Sequence, residues 1–267
     1  MRAAGLGSVV TVRVATFNLL SGKSPEDNVV REDRLVDAIK TLDADVLGLQ
    51  EVDVGQERSG RLDLTAVVAD AMGAGAARFE PTLIGAPEDP WRRAHPGESY
   101  AAAYGIAIVS RLPVREWHAI RLPYTPMHSP IVLPGSGEVI YTRDEPRMAL
   151  AAVVMTPTGP LTVVNTHLSF LPGWNVRQLR RLVHAVDELP RPAVIMGDLN
   201  MPGRLPTVVS RWRPAVTAHT WPAHRPMAQL DHILISPGGP AVTGGDTLRL
   251  PLSDHLAMYA DLGDPDG

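Results

Sequence analysis

Acidic, amide and imidazole side chains gather at four places in this chain, each where an apolar run ends. These are Gln50-Glu51, Asn165-Thr166-His167, Asp198-Leu199-Asn200 and Ser253-Asp254-His255, and Asn18 is a fifth such position. Polar residues commonly follow a buried strand as the chain turns into solvent, so one such stretch carries little information. Repetition within 267 residues changes the reading. Carboxylates and amides can hold a hard cation, and imidazoles can stabilise charge on a phosphate.

Each position also has a purely structural reading. Glu51 follows Val46-Leu47-Gly48-Leu49 and is equally a solvated strand end. Asp198 and Asn200 are two residues apart, so in an extended chain they share a face and can reach one phosphate. Within Gly-Asp-Leu-Asn-Met-Pro-Gly they can equally satisfy their own backbone as turn residues. His167 suits a hydrogen-bonded structural role. Asp254-His255 sets a possible metal ligand beside a proton donor, and Asp231 is a second carboxylate suited to orienting a catalytic imidazole.

Composition removes several classes of chemistry. Cysteine is absent, which excludes disulfides, thiolate ligands and a thiol nucleophile. No His-Glu-x-x-His pattern occurs, so a tetrahedral zinc site lacks its usual donors, and oxygen ligands favour magnesium or manganese. Neither a Gly-x-Ser-x-Gly elbow nor a Gly-rich loop ending in Lys-Ser/Thr is present. Acidic residues outnumber basic ones, 29 to 25, for a net charge of -4, which argues against a protein that grips long nucleic acid by its phosphates. No run approaches the roughly 18 apolar residues of a membrane span. The N-terminus lacks a secretory pattern, so the expectation is a soluble, cytoplasmic protein.

The elements that must position these groups follow from periodicity. Val10 to Phe17 alternates as a strand, Arg31 to Leu42 places Leu35, Val36, Ile39 and Leu42 on one helical stripe, and Asp45 to Leu49 is a strand delivering Glu51 to its end. Leu62 to Met72 is helical and stops at Gly73. Strands are expected at 105–110, 114–120, 148–155 and 161–165, the last two forming a hairpin through Thr156 to Pro160. A helix over Asn175 to Leu189 precedes strands at 193–196, 230–235 and 256–262. Residues 85–103 and 124–144 are rich in proline and glycine, lack periodicity, and are expected to be loops that contact substrate. The length suits one domain spanning 1–267 and a core that needs no covalent staples.

Seven blocks, Ala-Thr-Phe-Asn18-Leu-Leu, Leu-Gly-Leu-Gln-Glu51-Val, Tyr104-Gly-Ile-Ala-Ile-Val-Ser-Arg, Asn165-Thr-His167-Leu, Gly-Asp198-Leu-Asn200, Leu-Asp231-His-Ile-Leu and Ser-Asp254-His255, occur in the order of the endonuclease/exonuclease/phosphatase superfamily, which the chain resembles over nearly its whole length. The resemblance implies an α/β (α+β) fold, a four-layer α/β/β/α sandwich with two mixed sheets face to face and helices outside. It implies Mg2+-dependent phosphoester hydrolysis, with Mn2+ as a possible substitute. By position, Glu51 resembles the principal metal ligand, Asn18 its neighbour that binds or orients the metal-site carboxylates, and Asp254 a further metal-site carboxylate. Asp198 resembles the residue that deprotonates the attacking water, Asn200 a phosphate-oxygen ligand, His167 a phosphate or leaving-group contact, and His255, oriented by Asp231, a donor to developing charge.

Tyr104 is a candidate partner for His167. Arg143 and Arg147 could reach a phosphate, although an arginine at a strand start is ordinarily solvated. One departure is Leu20, where some nuclease branches carry an acid two residues after the first asparagine, and it removes a second metal ligand from that block. The expected substrate is a nucleic acid, a phospholipid or a small phosphodiester, and no obligate protein partner is evident. The alternatives are a phosphomonoesterase acting on a lipid or inositol phosphate, and a catalytically silent binding scaffold.

Overall fold

The strands pair into two mixed sheets in a computed structural model that describes residues 11–85, 91–95, 97–124, 128–132 and 139–263. In chain order the first half contains β1 (Val12–Asn18), α1 (Glu32–Leu42), β2 (Val46–Val54), α2 (Leu64–Met72), β3 (Ala76–Ile84), β4 (Arg92–Arg93), β5 (Ala103–Ser110), β6 (Val114–Arg121), β7 (His128–Val132) and β8 (Val139–Arg143). The second half contains β9 (Met148–Thr156), β10 (Gly159–His167), α3 (Trp174–Val186), β11 (Ala193–Asp198), α4 (Leu205–Ser210), β12 (Arg213–Pro214), β13 (Asp231–Ile235), β14 (Ala241–Leu248) and β15 (Ala257–Gly263). One sheet runs β14-β15-β1-β2-β5-β3-β4 and the other β12-β13-β11-β10-β9-β6. Each contains one parallel pair, β1 with β2 and β10 with β11, among antiparallel neighbours.

Three apolar layers hold this arrangement together. Val14, Val46, Ile106 and Ile108 of the first sheet meet Val163, Val194 and Met196 of the second in a central core. The alternate residues of the same strands face outward: Phe17, Leu47 and Leu49 pack on Leu35, Ile39 and Val68 of α1 and α2, and Val164 and Ile195 pack on Leu179, Leu182 and Val186 of α3. Strands buried on both faces read as continuous apolar runs rather than alternating ones. The result is the expected four-layer α/β/β/α sandwich.

Differences from the sequence reading are local. The expected strand start at Val10 lies outside the described residues. β2 does not stop at Leu49 but continues to Val54 through a register shift between Leu49 and Val52, so Glu51 sits on a bulge rather than at a strand end. β3, β14 and the short α4 were not anticipated. The 124–144 segment, expected to be loop, contains the antiparallel hairpin of β7 and β8, and 85–103 contains the two-residue β4.

Candidate active site

The parallel pairs bring their ends together at one edge of the sandwich. Asn18 ends β1 beside Gln50 of β2, and His167 ends β10 in register with Asp198 at the end of β11. Asp198 in turn pairs with Asp231 at the start of β13. Gly197 makes the β10–β11 approach possible: its φ is +146°, and a Cβ there would lie 1.9 Å from the Thr166 carbonyl oxygen. Gln50 and Asn165, by contrast, point between the sheets. The Asn165 amide donates to the Leu49 and Ala107 carbonyls at 2.8 and 2.9 Å and accepts from Gln50, stitching one sheet to the other. Both are buried structural residues.

Asn18 is the hub of the acidic cluster. Its Nδ2 donates to Glu51 Oε1 at 3.0 Å and to Asp198 Oδ2 at 3.2 Å, while its Oδ1 accepts from the Leu20 amide at 3.0 Å. With both amide hydrogens on carboxylates and the oxygen turned to the backbone, Asn18 is placed to orient acids. Glu51 reaches this position through a left-handed backbone, φ +53°, at the β2 bulge. Such a conformation is uncommon outside glycine and asparagine and marks a constrained site.

On the other side of Asp198 stand two imidazoles. His167 Nε2 lies 3.5 Å and His255 Nε2 3.8 Å from Asp198 Oδ2. His255 Nδ1 contacts Asp231 Oδ2 at 2.8 Å, as expected for an oriented imidazole. The segment carrying His255 is anchored by Ser253, whose Oγ donates to the Asn18 carbonyl at 2.6 Å and accepts from the His255 amide at 3.0 Å. Asp198 makes a turn contact and also faces the cluster. Oδ1 accepts from the Asn200 amide at 3.0 Å, closing a turn, and Oδ2 faces the cluster. Asn200 gives one amide hydrogen to the Leu168 carbonyl at 3.0 Å, and the other has no partner among the described residues.

Charge states follow from this packing. Burial pushes the Asp198 carboxyl up, and the neighbouring Asp231 charge pushes it further. Burial alone would lower the His255 imidazole, but the charge and hydrogen bond of Asp231, with Asp198 behind them, outweigh it and raise it. His167 is driven well below the ordinary imidazole range by burial, then by Arg147 and His255, and is neutral. Burial also raises Glu51 despite the Asn18 hydrogen bond, and the charges of Glu145 and Asp254 add to it.

Glu51 forms no ion pair among the described residues; burial is the main influence on its carboxylate, with His255 and Arg58 acting on it only at longer range. A divalent cation is a partner that suits such a carboxylate, and the charge of Asp254 also acts on Glu51. A tighter triplet, Asp198, Asp231 and His255, has possible ligand atoms within 4.8 Å of one another. There Asp231 Oδ2 is already committed to His255, so that triplet is better suited to moving a proton than to holding a cation.

These groups open into a cleft of about 1030 Å³ whose walls the sequence reading only partly located. Arg147 lies in it and is buried rather than solvated, held by Asp144 at 3.3 Å and Glu145 at 3.4 Å. A buried guanidinium requires such partners. The signal was the Asp144-Glu145-Pro146-Arg147 run immediately before β9. For Arg143 only the backbone is described. Tyr104 also lines the cleft, edge-on to Trp91, and no hydrogen bond joins it to His167 among the described residues. Arg58, over the rings of Trp91 and Tyr104, and Trp221 complete the wall, and nothing in their local sequence marked them. A second cavity of about 630 Å³, at the far ends of β1 and β10, has Arg213 as its one titratable lining residue among the described residues.

An α/β/β/α sandwich with carboxylates and imidazoles converging at the strand ends of both sheets is the architecture of a phosphoesterase. The endonuclease/exonuclease/phosphatase family model matches residues 15–255, and the chain belongs to that family, whose members are hydrolases of phosphoester bonds. Solved structures agree on the fold. An endonuclease/exonuclease/phosphatase from Beutenbergia cavernae is 23% identical with a TM-score of 0.69, covering 95% of this chain and 71% of its own. The human Nocturnin catalytic domain with bound sulfate is 19% identical, TM-score 0.63, covering 94% and 92%. Sphingomyelinase C from Streptomyces griseocarneus is 16% identical, TM-score 0.61, covering 95% and 99%. No curated protein sequence matches the chain. Among the described residues no helix is long and apolar enough to cross a membrane.

Proposed function

We propose that the chain is a divalent-metal-dependent phosphoester hydrolase, a phosphodiesterase or nuclease, that directs water in line at phosphorus. The observation that carries the reading is the Asn18 amide bridging Glu51 and Asp198, with both imidazoles within 4 Å of Asp198 on its other side. Acid, base and cation-binding groups thus meet at one point of the cleft. The residues that would hold the cation are Glu51 and Asp254, with Asn18 orienting Glu51; Mg2+ fits these oxygen donors, and Mn2+ can replace it. When bound, the cation neutralises charge on the phosphoryl oxygens.

The chain's own residues account for the remaining work. Asp198, ionised, accepts the proton of the attacking water at Oδ2, and its raised pKa makes it a better base than an exposed aspartate. His255, held protonated and oriented by Asp231, donates from Nε2 to a non-bridging oxygen as charge develops. Neutral His167 donates one further hydrogen bond, and the free amide hydrogen of Asn200 holds another phosphate oxygen. No side chain need become covalently attached.

The preference for a diester is slight; it is supported by the endonuclease and exonuclease branches in the family's description and by the similarity to a sphingomyelinase. A phosphomonoesterase is the second reading, and a mannosyl-6-phosphatase from Bacteroides thetaiotaomicron, 18% identical with a TM-score of 0.61, favours keeping it. Purified protein with Mg2+ should hydrolyse bis(4-nitrophenyl) phosphate faster than 4-nitrophenyl phosphate. The reverse order would assign the monoester reading.

A further inference from the structure

The cleft contains an indole whose hydrogen bond belongs to no step above. Trp221 Nε1 donates to Asp254 Oδ2 at 3.1 Å, while the same side chain lines the cleft. We propose that Trp221 is a positioning residue for Asp254, fixing one carboxylate oxygen so that the other is presented to the cation. The inference rests on the metal-site reading of Asp254.

Three further observations show that this contact is built into the fold. The loop carrying Trp221 closes on itself, with the Trp221 amide donating to the Ala228 carbonyl at 3.0 Å and the Ala228 amide returning to the Trp221 carbonyl at 2.9 Å. Its near end is bound to the Asp254 segment from both sides: the Ala223 amide donates to the Asp254 carbonyl at 2.6 Å, and the Leu256 amide to the Thr220 carbonyl at 2.8 Å. Thr220 Oγ1 also accepts the amides of Leu230 and Asp231, at 3.1 and 3.2 Å. One short loop therefore holds the backbones on which Asp231, Asp254 and His255 stand.

A carboxylate with two free oxygens has several ways to meet a cation. An N–H donor on Oδ2 reduces them to one, because that oxygen's rotation would break a charge-assisted bond. This is the role outer groups commonly play at metal sites, where their removal weakens metal binding about 10- to 100-fold. A purely packing role for the indole predicts no such change, since a phenyl ring would fill most of the same space.

Mn2+ binding to the substrate-free protein, measured by isothermal titration calorimetry, separates the possibilities. Trp221→Phe should weaken Mn2+ binding about 10-fold or more, whereas Trp221→His, which keeps a ring N–H donor although on a smaller ring, should retain more of the affinity. In an Asp254→Ala background, Trp221→Phe should cause no further loss. Unchanged affinity in Trp221→Phe, equal losses in Phe and His variants, or a full additional loss in the Asp254→Ala background would each overturn the inference. If the wild type bound no Mn2+, or Asp254→Ala bound it normally, the metal-site reading itself would fail and this inference with it.

Discussion

Asp198 shows why single residues in this chain were ambiguous from sequence. One oxygen closes a turn with the Asn200 amide and the other faces Asn18, His167 and His255, so a turn residue and a candidate base are the same side chain. Its environment sets a pH dependence. In the proposed roles turnover needs Asp198 ionised, so it should be lost as pH falls through the raised Asp198 pKa, and needs His255 protonated, so it should be lost as pH rises through the raised His255 pKa. The expected profile is a bell with both limbs above the ordinary Asp and His values of about 3.9 and 6.5. Asp231→Asn removes the charge that holds His255 up, so the alkaline limb should move down by a unit or more in a pH-rate titration; a limb that stays put would detach Asp231 from His255. Glu51→Gln removes the carboxylate proposed to hold the cation, and the Mg2+ concentration for half-maximal rate should rise at least about 10-fold. The chemistry-bearing residues were readable because they interrupt apolar runs. Trp221 was not, since tryptophan in a loop is ordinary local sequence and its partner Asp254 lies 33 residues away, whereas Arg147 is held by its near neighbours Asp144 and Glu145.

Elements deliver these side chains through departures from regularity. The β2 bulge turns Glu51 toward the site, and a sequence alone cannot distinguish a strand that ends at Leu49 from one that bulges and continues. Gly197 is the matching device on β11. Gly197→Ala would set a methyl 1.9 Å from the Thr166 carbonyl oxygen and hold an unfavourable φ. It should cost about 1–3 kcal/mol, visible as a lower melting temperature, and should lower activity by moving Asp198; a variant as stable and active as the wild type would contradict the packing described for β10 and β11. The helices α1 and α3 follow their apolar stripes closely, ending at Leu42 and Val186. β3 and β14 escaped notice for physical reasons. β3 carries Pro81 at a register shift, and β14 is an edge strand with two glycines and mostly partial burial, so neither shows a clean period.

At the scale of the molecule, the site exists only where the sheets meet. Glu51 and Asn18 belong to one sheet, His167, Asp198 and Asp231 to the other, and the buried amides of Asn165 and Gln50 hold the seam directly beneath them. Asn165→Leu would leave the Leu49 and Ala107 carbonyls without this donor and should destabilise the fold by about 2–4 kcal/mol in chemical denaturation, with activity falling in proportion; a neutral effect would show that the seam does not depend on it. The sandwich was predictable because doubly buried strands and one-sided helices each leave a plain pattern, while substrate choice is spread over cleft walls with no local signature. The proposed activity is metal-dependent phosphoester hydrolysis centred on Asp198. Initial rates of bis(4-nitrophenyl) phosphate hydrolysis across a Mg2+ titration, for the wild type and Asp198→Ala at matched thermal stability, test it most directly. Turnover by the wild type that vanishes on chelation, with a loss of about 100-fold or more in the variant, is the predicted result; a folded wild type inert with both Mg2+ and Mn2+, or a variant of near-normal rate, would contradict it.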